Sequence, residues 1–132
     1  MKHCFFVLKR GQEIVAEIIN FCSSKNIKAA YFSAIGAVSS VELGFYDIRK
    51  KHYSFKKFDE DLEVDNITGN IALMDGRLIM HAHSTFSDGE MKVVGGHLKS
   101  AVVSGTCEVF LVPIKEKLER KFDGDTGLNL IK

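Results

Sequence analysis

The chain has 132 residues, of which 45% are hydrophobic and 27% are charged, as is ordinary for a soluble globular protein. We therefore expect one domain, residues 1–132, with its own hydrophobic core. Eighteen basic and 17 acidic residues give a net charge of +1, which argues against a general binder of nucleic-acid backbones. No signal peptide and no apolar run long enough to span a bilayer is recognised, so no membrane association is expected.

The three cysteines, Cys4, Cys22 and Cys107, are odd in number and widely spaced, and no Cys-x-x-Cys occurs. This pattern favours neither a disulfide framework nor a cysteine-zinc site. Each cysteine lies among apolar residues and is predicted to be a small core residue. A reducing, cytoplasmic location is the expectation.

The N-terminal part predicts one strand followed by one helix. Residues 3–9 are rich in strand formers, and Gly11 ends that run. Residues 12–25 place an apolar stripe on one helical face, with Asn26 as a left-handed stop. The stripe consists of Ile14, Val15, Ile18, Ile19 and Cys22. This is the one convincing amphipathic helix, and its stripe should cover a sheet.

Strand signals dominate the rest of the chain, which predicts an α+β domain made mostly of antiparallel sheet. Gly36-Ala37 predicts a bend, Gly69 a bulge and Asp75-Gly76 a hairpin turn, while Pro113 ends the last long strand. The predicted strands are residues 28–35, Val41–Ile48, Tyr53–Phe58, Leu62–Met74, Leu78–Phe86, residues 91–97 and Ala101–Val112.

The last 19 residues carry mixed charges. Residues 114–122 are expected to be a solvated segment that Leu118 and Phe122 anchor through their i, i+4 spacing. Residues 123–127 resemble a turn. The three apolar residues that follow need burial, and a neighbouring subunit is one surface that could cover them. They are Leu128, Leu130 and Ile131.

Three of the five histidines lie within residues 81–98. Alternate residues of a strand face the same side, so His81 and His83 should emerge together. Asp88-Gly89 predicts a tight turn that folds residues 91–97 back beside them and brings His97 close. Gly95 and Gly96 remove side chains where a bulge or a close approach is useful. The hairpin can supply three nitrogens to a zinc ion.

The alternative is that these are ordinary strand histidines with satisfied hydrogen bonds. A His-x-His pair alone is a weak signal, because it also occurs in strands that bind no metal. The third histidine favours the metal site only if the register is as predicted. Other chemistry has less support, because no activated Ser or Cys motif and no phosphate-binding glycine loop occurs. Glu63 and Glu108 would act as general bases only if they face the histidines.

The whole pattern resembles the PPC domain, the "plants and prokaryotes conserved" domain also present in plant AT-hook nuclear-localised proteins. The His81–Leu98 run is the most specific part of the resemblance. Its other matching segments are Gly11-Gln12-Glu13, Ala30–Ala37, Gly69-Asn70-Ile71, Asp75-Gly76, Gly105–Val109 and Arg120–Leu128. The resemblance implies a compact α+β domain that assembles as a homotrimer. In prokaryotic members it also implies a metal site, for zinc, at the positions of His81, His83 and His97.

Plant members use the domain for protein association, while an AT-hook contacts the DNA minor groove. This chain lacks the Arg-Gly-Arg-Pro hook. The plant Gly-Arg-Phe-Glu-Ile-Leu stretch falls near residues 60–65, where only Glu63 and the apolar character of Leu62 and Val64 remain. Both departures weaken the transfer of a plant-type DNA role to this chain.

Three functional hypotheses follow. The first is a stand-alone homotrimer that binds a zinc-type metal. Its physiological role is undefined, and regulation is one candidate. The second is a DNA-associated protein, for which a basic edge is available, although a solvated hairpin tip also explains its first three residues. That edge comprises Arg49, Lys50, Lys51, Lys56 and Lys57. The third is a zinc-dependent hydrolase or hydratase, because three protein ligands leave a fourth metal position open.

Overall fold

The computed structural model describes residues 2–132, which form one helix and eight strands. All pairings between named strands are antiparallel. The predicted α+β class, mostly antiparallel with one N-terminal helix, is confirmed. The elements are β1 (Cys4–Lys9), α1 (Ile14–Ser24), β2 (Ala30–Asp47), β3 (His52–Phe58), β4 (Leu62–Met74), β5 (Arg77–Ser87), β6 (Val93–Pro113), β7 (Arg120–Asp123) and β8 (Leu128–Ile131).

Six of the strands form one sheet that closes on itself. Its order is β1-β6-β5-β4-β2-β3, and β6 also pairs with β2, so β6, β5, β4 and β2 form a ring. Side chains that point into this ring form the core, including the fully buried Phe32, Ile67 and Phe86. The outward side chains of the same strands remain available for a functional surface.

Helix α1 covers the core as its stripe predicts. Ile14, Ile18 and Cys22 are fully buried, and Asn26 has the positive φ of 55° expected of a left-handed stop. Glu13 caps the helix by accepting hydrogen bonds from the amides of the first turn, and it also accepts one from the Ala101 amide of β6. Within residues 2–132, no helix is long and apolar enough to cross a membrane.

The two longest strands are each continuous where the sequence predicts two separate strands. β2 runs through the Gly36-Ala37 site and shows a register irregularity between Ala34 and Gly36 instead of a break. β6 likewise runs from Val93 to Pro113. Each strand changes its pairing partner along its length, since the start of β6 pairs with β5 and its end pairs with β1. Bulges let a single strand bend in this way.

Two of the predicted irregularities are in different places. Gly69 lies in regular register between Phe32 and Ala82, and the bulge in β4 falls between Val64 and Asn66. The predicted tight turn at Asp88-Gly89 is a longer loop, because the pairing resumes only at Ser87 and Val93. The Asp88 side chain accepts two backbone hydrogen bonds within this loop and so stabilises it.

Residues 120–131 form a second, two-stranded sheet, so the stretch predicted to be solvated is irregular and partly exposed only as far as residue 119. Arg120 begins β7 and is only 8% exposed, whereas Phe122 is 66% exposed and does not anchor the segment. The turn at residues 123–127 is confirmed, with Thr126 donating two hydrogen bonds to Asp123. Leu128 and Leu130 of β8 are half-buried.

All three cysteines are free, as predicted. Cys22 and Cys107 are fully buried, and burial raises the pKa of each thiol to about 11. Cys4 is half-buried and packs against the core. The thiols of Cys22 and Cys107 are therefore protonated and unreactive core groups.

Candidate metal centre

The structure brings the three histidines of residues 81–98 together on the outer face of the sheet. His81 and His83 alternate along β5, and His83 pairs directly with His97 of β6. The ring centroids are 5.1 Å apart for His81 and His83, 5.4 Å for His81 and His97, and 5.7 Å for His83 and His97. One nitrogen from each ring can be chosen so that all three lie within 4.8 Å of one another.

Glycines allow the backbone around this cluster to pack closely. A Cβ on Gly69 of β4 would collide with the His81 carbonyl and lie 2.7 Å from the Ala82 Cβ. A Cβ on Gly96 would lie 2.8 Å from the Gly44 carbonyl oxygen. The Gly96 site is thus the close approach that the sequence suggests, and side chains are excluded where they would push the histidine strands from their neighbours.

Two of the three clustered imidazoles, those of His81 and His97, are held in the uncharged form. Burial, followed by the nearby charges of Arg120, His83 and His97, lowers the pKa of His81 to about 4. Burial and His83 also lower the pKa of His97. Neutral imidazole is the form that ligates a metal, because a protonated ring has no free lone pair. His81 and His97 therefore present their ring nitrogens in the form that binds a metal at neutral pH.

His97 also carries an observation that tests whether the site suits a metal. Its Nδ1 atom is buried and has no hydrogen-bond partner. Buried ring nitrogens are normally hydrogen-bonded, so an unpaired one needs a reason. Zinc–nitrogen bonds are about 2.0–2.1 Å long, and rings as near to one another as these need only small rotations to share one ion. The donor set fits zinc.

A cavity of about 280 Å³ lies against the cluster and contains a residue that the sequence reasoning missed. His81 and His97 form one wall, and Tyr53 lies with its ring 5.0 Å from that of His97. Arg120 lines the same cavity, although sequence reasoning placed it in a solvated tail. The Asp-Gly-Asp-Thr-Gly turn was the available signal for a hairpin, although it does not indicate that Arg120 is buried. The remaining lining residues are Ile79, Met80, Leu128, Asn129 and Leu130.

Neither glutamate that was considered as a general base belongs to the cluster. Glu63 pairs with Ser87, four residues along β5 from His83, which corresponds to about 13 Å. Glu108 lies in the part of β6 that pairs with Val7 and Ile35, away from β5. Both positions leave the histidines without a carboxylate from these two residues.

The basic residues considered for DNA contact lie on the β2–β3 hairpin. Residues 49–51 form its turn, as the hairpin-tip interpretation predicts. Several of the charges have partners: Lys50 lies 3.9 Å from Asp47, Lys57 lies 3.5 Å from Asp59, and Lys51 donates to the Gly124 carbonyl. The two ion pairs are weak surface contacts, but their carboxylates reduce the net positive charge that the hairpin presents to a phosphate backbone.

Solved structures resemble this chain over almost its whole length. A metal-containing protein from Archaeoglobus fulgidus is 41% identical, with a TM-score of 0.94, over 100% of this chain and 94% of its own. A plant- and prokaryote-conserved protein from Pyrococcus horikoshii is 32% identical, with a TM-score of 0.93, over 100% and 92%. A protein from Bacteroides thetaiotaomicron, whose name suggests DNA binding, is 31% identical, with a TM-score of 0.95, over 98% and 91%.

No curated protein matches the chain. The sequence profile of the Plants and Prokaryotes Conserved (PCC) domain matches residues 1–115, and this range includes β5, the start of β6 and all three clustered histidines. The resemblance seen in the sequence is thereby confirmed. The chain belongs to the Plants and Prokaryotes Conserved domain family.

Proposed function

We propose that the protein is a homotrimer that binds a zinc-type metal ion through His81, His83 and His97. The observation that carries the metal proposal is the cluster itself, with one nitrogen from each of three imidazoles within 4.8 Å of the others. The lowered pKa values of His81 and His97 and the unpaired Nδ1 of His97 support it. So does the 41% identity to a protein described as metal-containing.

Metal content per subunit tests this proposal. Protein produced without a histidine tag should contain about one zinc per subunit after zinc addition and dialysis. His97→Ala removes one of three ligands and should lower zinc affinity by at least about a hundredfold, so that the variant loses its metal on dialysis. His52→Ala is the matched control, because His52 is exposed on β3 outside the cluster. Wild-type protein that retains no zinc would contradict the proposal.

An apolar patch on the outer face supports self-association. It extends across β1, β6 and β2, where Phe5 pairs with Phe110 and Tyr31 pairs with Val112. Phe5 is 56% exposed and Phe110 is 58% exposed, with their ring centroids 4.9 Å apart. Contiguous exposed apolar surface of this kind is typical of interaction sites. Another copy of the chain is the partner that the proposed trimer requires.

An enzymatic role is a second candidate, which the cavity beside the histidines favours. When bound, a zinc ion with three protein ligands supplies Lewis acidity and an activated water to a substrate in an adjacent cleft. His81 and His97 belong to the cluster and also line the 280 Å³ cavity, so a small substrate in the cavity would reach a metal bound by the histidines. A zinc-dependent hydrolase or hydratase would lose turnover in His97→Ala and keep it in His52→Ala.

DNA association is the remaining candidate, and the name of the Bacteroides thetaiotaomicron relative is its main support. The exposed Arg49 and Lys56 of the β2–β3 hairpin would contact phosphates. Affinity for duplex DNA should then fall steeply as salt rises, and Arg49→Gln should reduce that dependence by about one released ion. Affinity that does not depend on salt, or no binding at low salt, would contradict this candidate.

A further inference from the structure

Arg120 is a buried cation without an acidic partner. Its Nη1 group donates a 2.9 Å hydrogen bond to the Asn129 carbonyl, and its Nη2 group donates a 2.7 Å hydrogen bond to Oδ1 of Asn70. Both acceptors are neutral, and no ion pair within residues 2–132 involves Arg120. The positive charge of Arg120 is therefore uncompensated. This is unusual, because buried charges are normally paired with an opposite charge.

The guanidinium also has hydrogen-bonding capacity to spare. An arginine carries five N–H donors, and two of them are used here. The Nε atom is buried without a partner. Arg120 lines the 280 Å³ cavity together with His81 and His97, so an anion in that cavity would lie between the guanidinium and the metal ligands.

The walls of the cavity define the kind of anion. Ile79, Met80, Leu128 and Leu130 make much of the lining apolar, which suits an organic group better than a fully hydrated ion. The volume is close to the lower end of ligand pockets, about 300–1,000 Å³, and it suits a molecule of few atoms. A planar guanidinium matches a carboxylate through two parallel hydrogen bonds.

We propose that this cavity binds a small organic carboxylate, with the carboxylate on Arg120 and the rest of the molecule directed toward the metal site. Only the orientation of the ligand toward the metal site rests on the proposed function. Binding of the carboxylate by Arg120 does not, because Arg120 is not one of the metal ligands. It assigns to Arg120 the recognition of the ligand and to the apolar wall the selection of its size.

Isothermal titration with L-lactate, neutral lactamide and inorganic phosphate tests the assignment. Lactate should bind at least about tenfold more tightly than lactamide, because only the carboxylate makes charge-assisted hydrogen bonds to the guanidinium. Arg120→Gln should abolish that preference, while Arg77→Gln, which removes an exposed arginine at the start of β5, should retain it. Phosphate that binds more tightly than lactate would overturn the choice of a carboxylate.

A second variant keeps the test decisive if Arg120→Gln does not fold. Asn70→Asp places a carboxylate where the Asn70 amide oxygen now accepts from Arg120. This internal anion should raise the melting temperature and weaken lactate binding by at least about tenfold, since it compensates the same charge. Unchanged lactate affinity in Asn70→Asp would overturn the proposal.

The titrations are run on zinc-treated and metal-free protein, with the metal content measured in each sample. If zinc-treated protein retained no zinc but still preferred lactate to lactamide, only the metal proposal would be contradicted. If zinc-treated protein retained zinc but bound lactate and lactamide equally, only the carboxylate proposal would be contradicted. The absence of both would contradict both, and their joint presence is the expected result.

Discussion

At the scale of single residues, the site combines the uncharged imidazoles of His81 and His97 with one buried cation, Arg120. His81 has its pKa lowered to about 4 by burial and by nearby charges that include Arg120. The positive charge of Arg120 thus helps to hold the imidazole in the neutral form that a metal requires. Arg120 and His81 also line the same cavity, so their functions are linked through one small volume.

This arrangement predicts an acid-sensitive stability in the metal-free protein. Unfolded His81 binds a proton below its ordinary pKa of 6.5, whereas folded His81 resists protonation until about pH 4. Because the unfolded state binds more protons in that range, the free energy of unfolding should fall as pH drops from about 6.5 to about 4. Urea denaturation at several pH values measures this, and His81→Gln should reduce the slope. Equal slopes for the two proteins would contradict the prediction.

The three clustered histidines were predictable from the sequence, whereas Arg120 was not. His81 and His83 share a face because of the period of a strand, and His97 follows them after one local hairpin. The burial of Arg120 depends on Asn70, 50 residues earlier, and on the contact between β7 and β4. Local patterns cannot indicate such a long-range contact.

At the scale of the elements, β4 and β5 must lie close together beneath the histidines. Gly69 permits this, and Gly69→Ala would force a methyl group against the His81 carbonyl and Ala82. We expect this variant to lose about 1–3 kcal/mol of stability through overpacking and to bind zinc more weakly. Thermal denaturation and zinc titration measure the two effects.

Gly89→Ala is the matched control for this prediction, because an added Cβ there has no atom within 4 Å and no positive φ. It should change neither stability nor zinc affinity. If Gly69→Ala behaved like Gly89→Ala, the close approach of the two strands would not be what positions His81.

The positions of most strands were predictable, but the continuity of β2 and β6 was not. The small residues Gly36-Ala37 predict a bend between two strands, because glycine weakens isolated strands, and the sequence also predicts separate strands on either side of residues 98–100. In the folded chain β2 and β6 pair with each other over much of their length, and this long-range pairing keeps both strands continuous. The bulges that bend them depend on that pairing, which local sequence does not reveal.

At the scale of the whole molecule, the histidine site and the apolar patch share the outer face of the sheet. Tyr31 of the patch lines a cavity with His81 and His83. Self-association through the patch would therefore occur beside the metal site. Assembly and metal binding are expected to be physically adjacent in the proposed trimer.

A single substitution in the patch tests the assembly. Phe110→Lys places a charge at the centre of the proposed interface and should shift the protein from three times its 14.7 kDa chain mass to a monomer. Sedimentation equilibrium measures the mass. Phe122→Lys alters an equally apolar residue, 66% exposed on β7 and outside the patch, and should leave the trimer intact. A trimeric Phe110→Lys protein would place the interface elsewhere.

The central claim is that one metal ion is held by the three clustered histidines. Diffraction from zinc-treated crystals, recorded on both sides of the zinc absorption edge, tests it most directly. The account predicts one anomalous peak per subunit, about 2.0–2.1 Å from a nitrogen of each of His81, His83 and His97. A crystal with no peak at this cluster, or with zinc bound only at other residues, would contradict it.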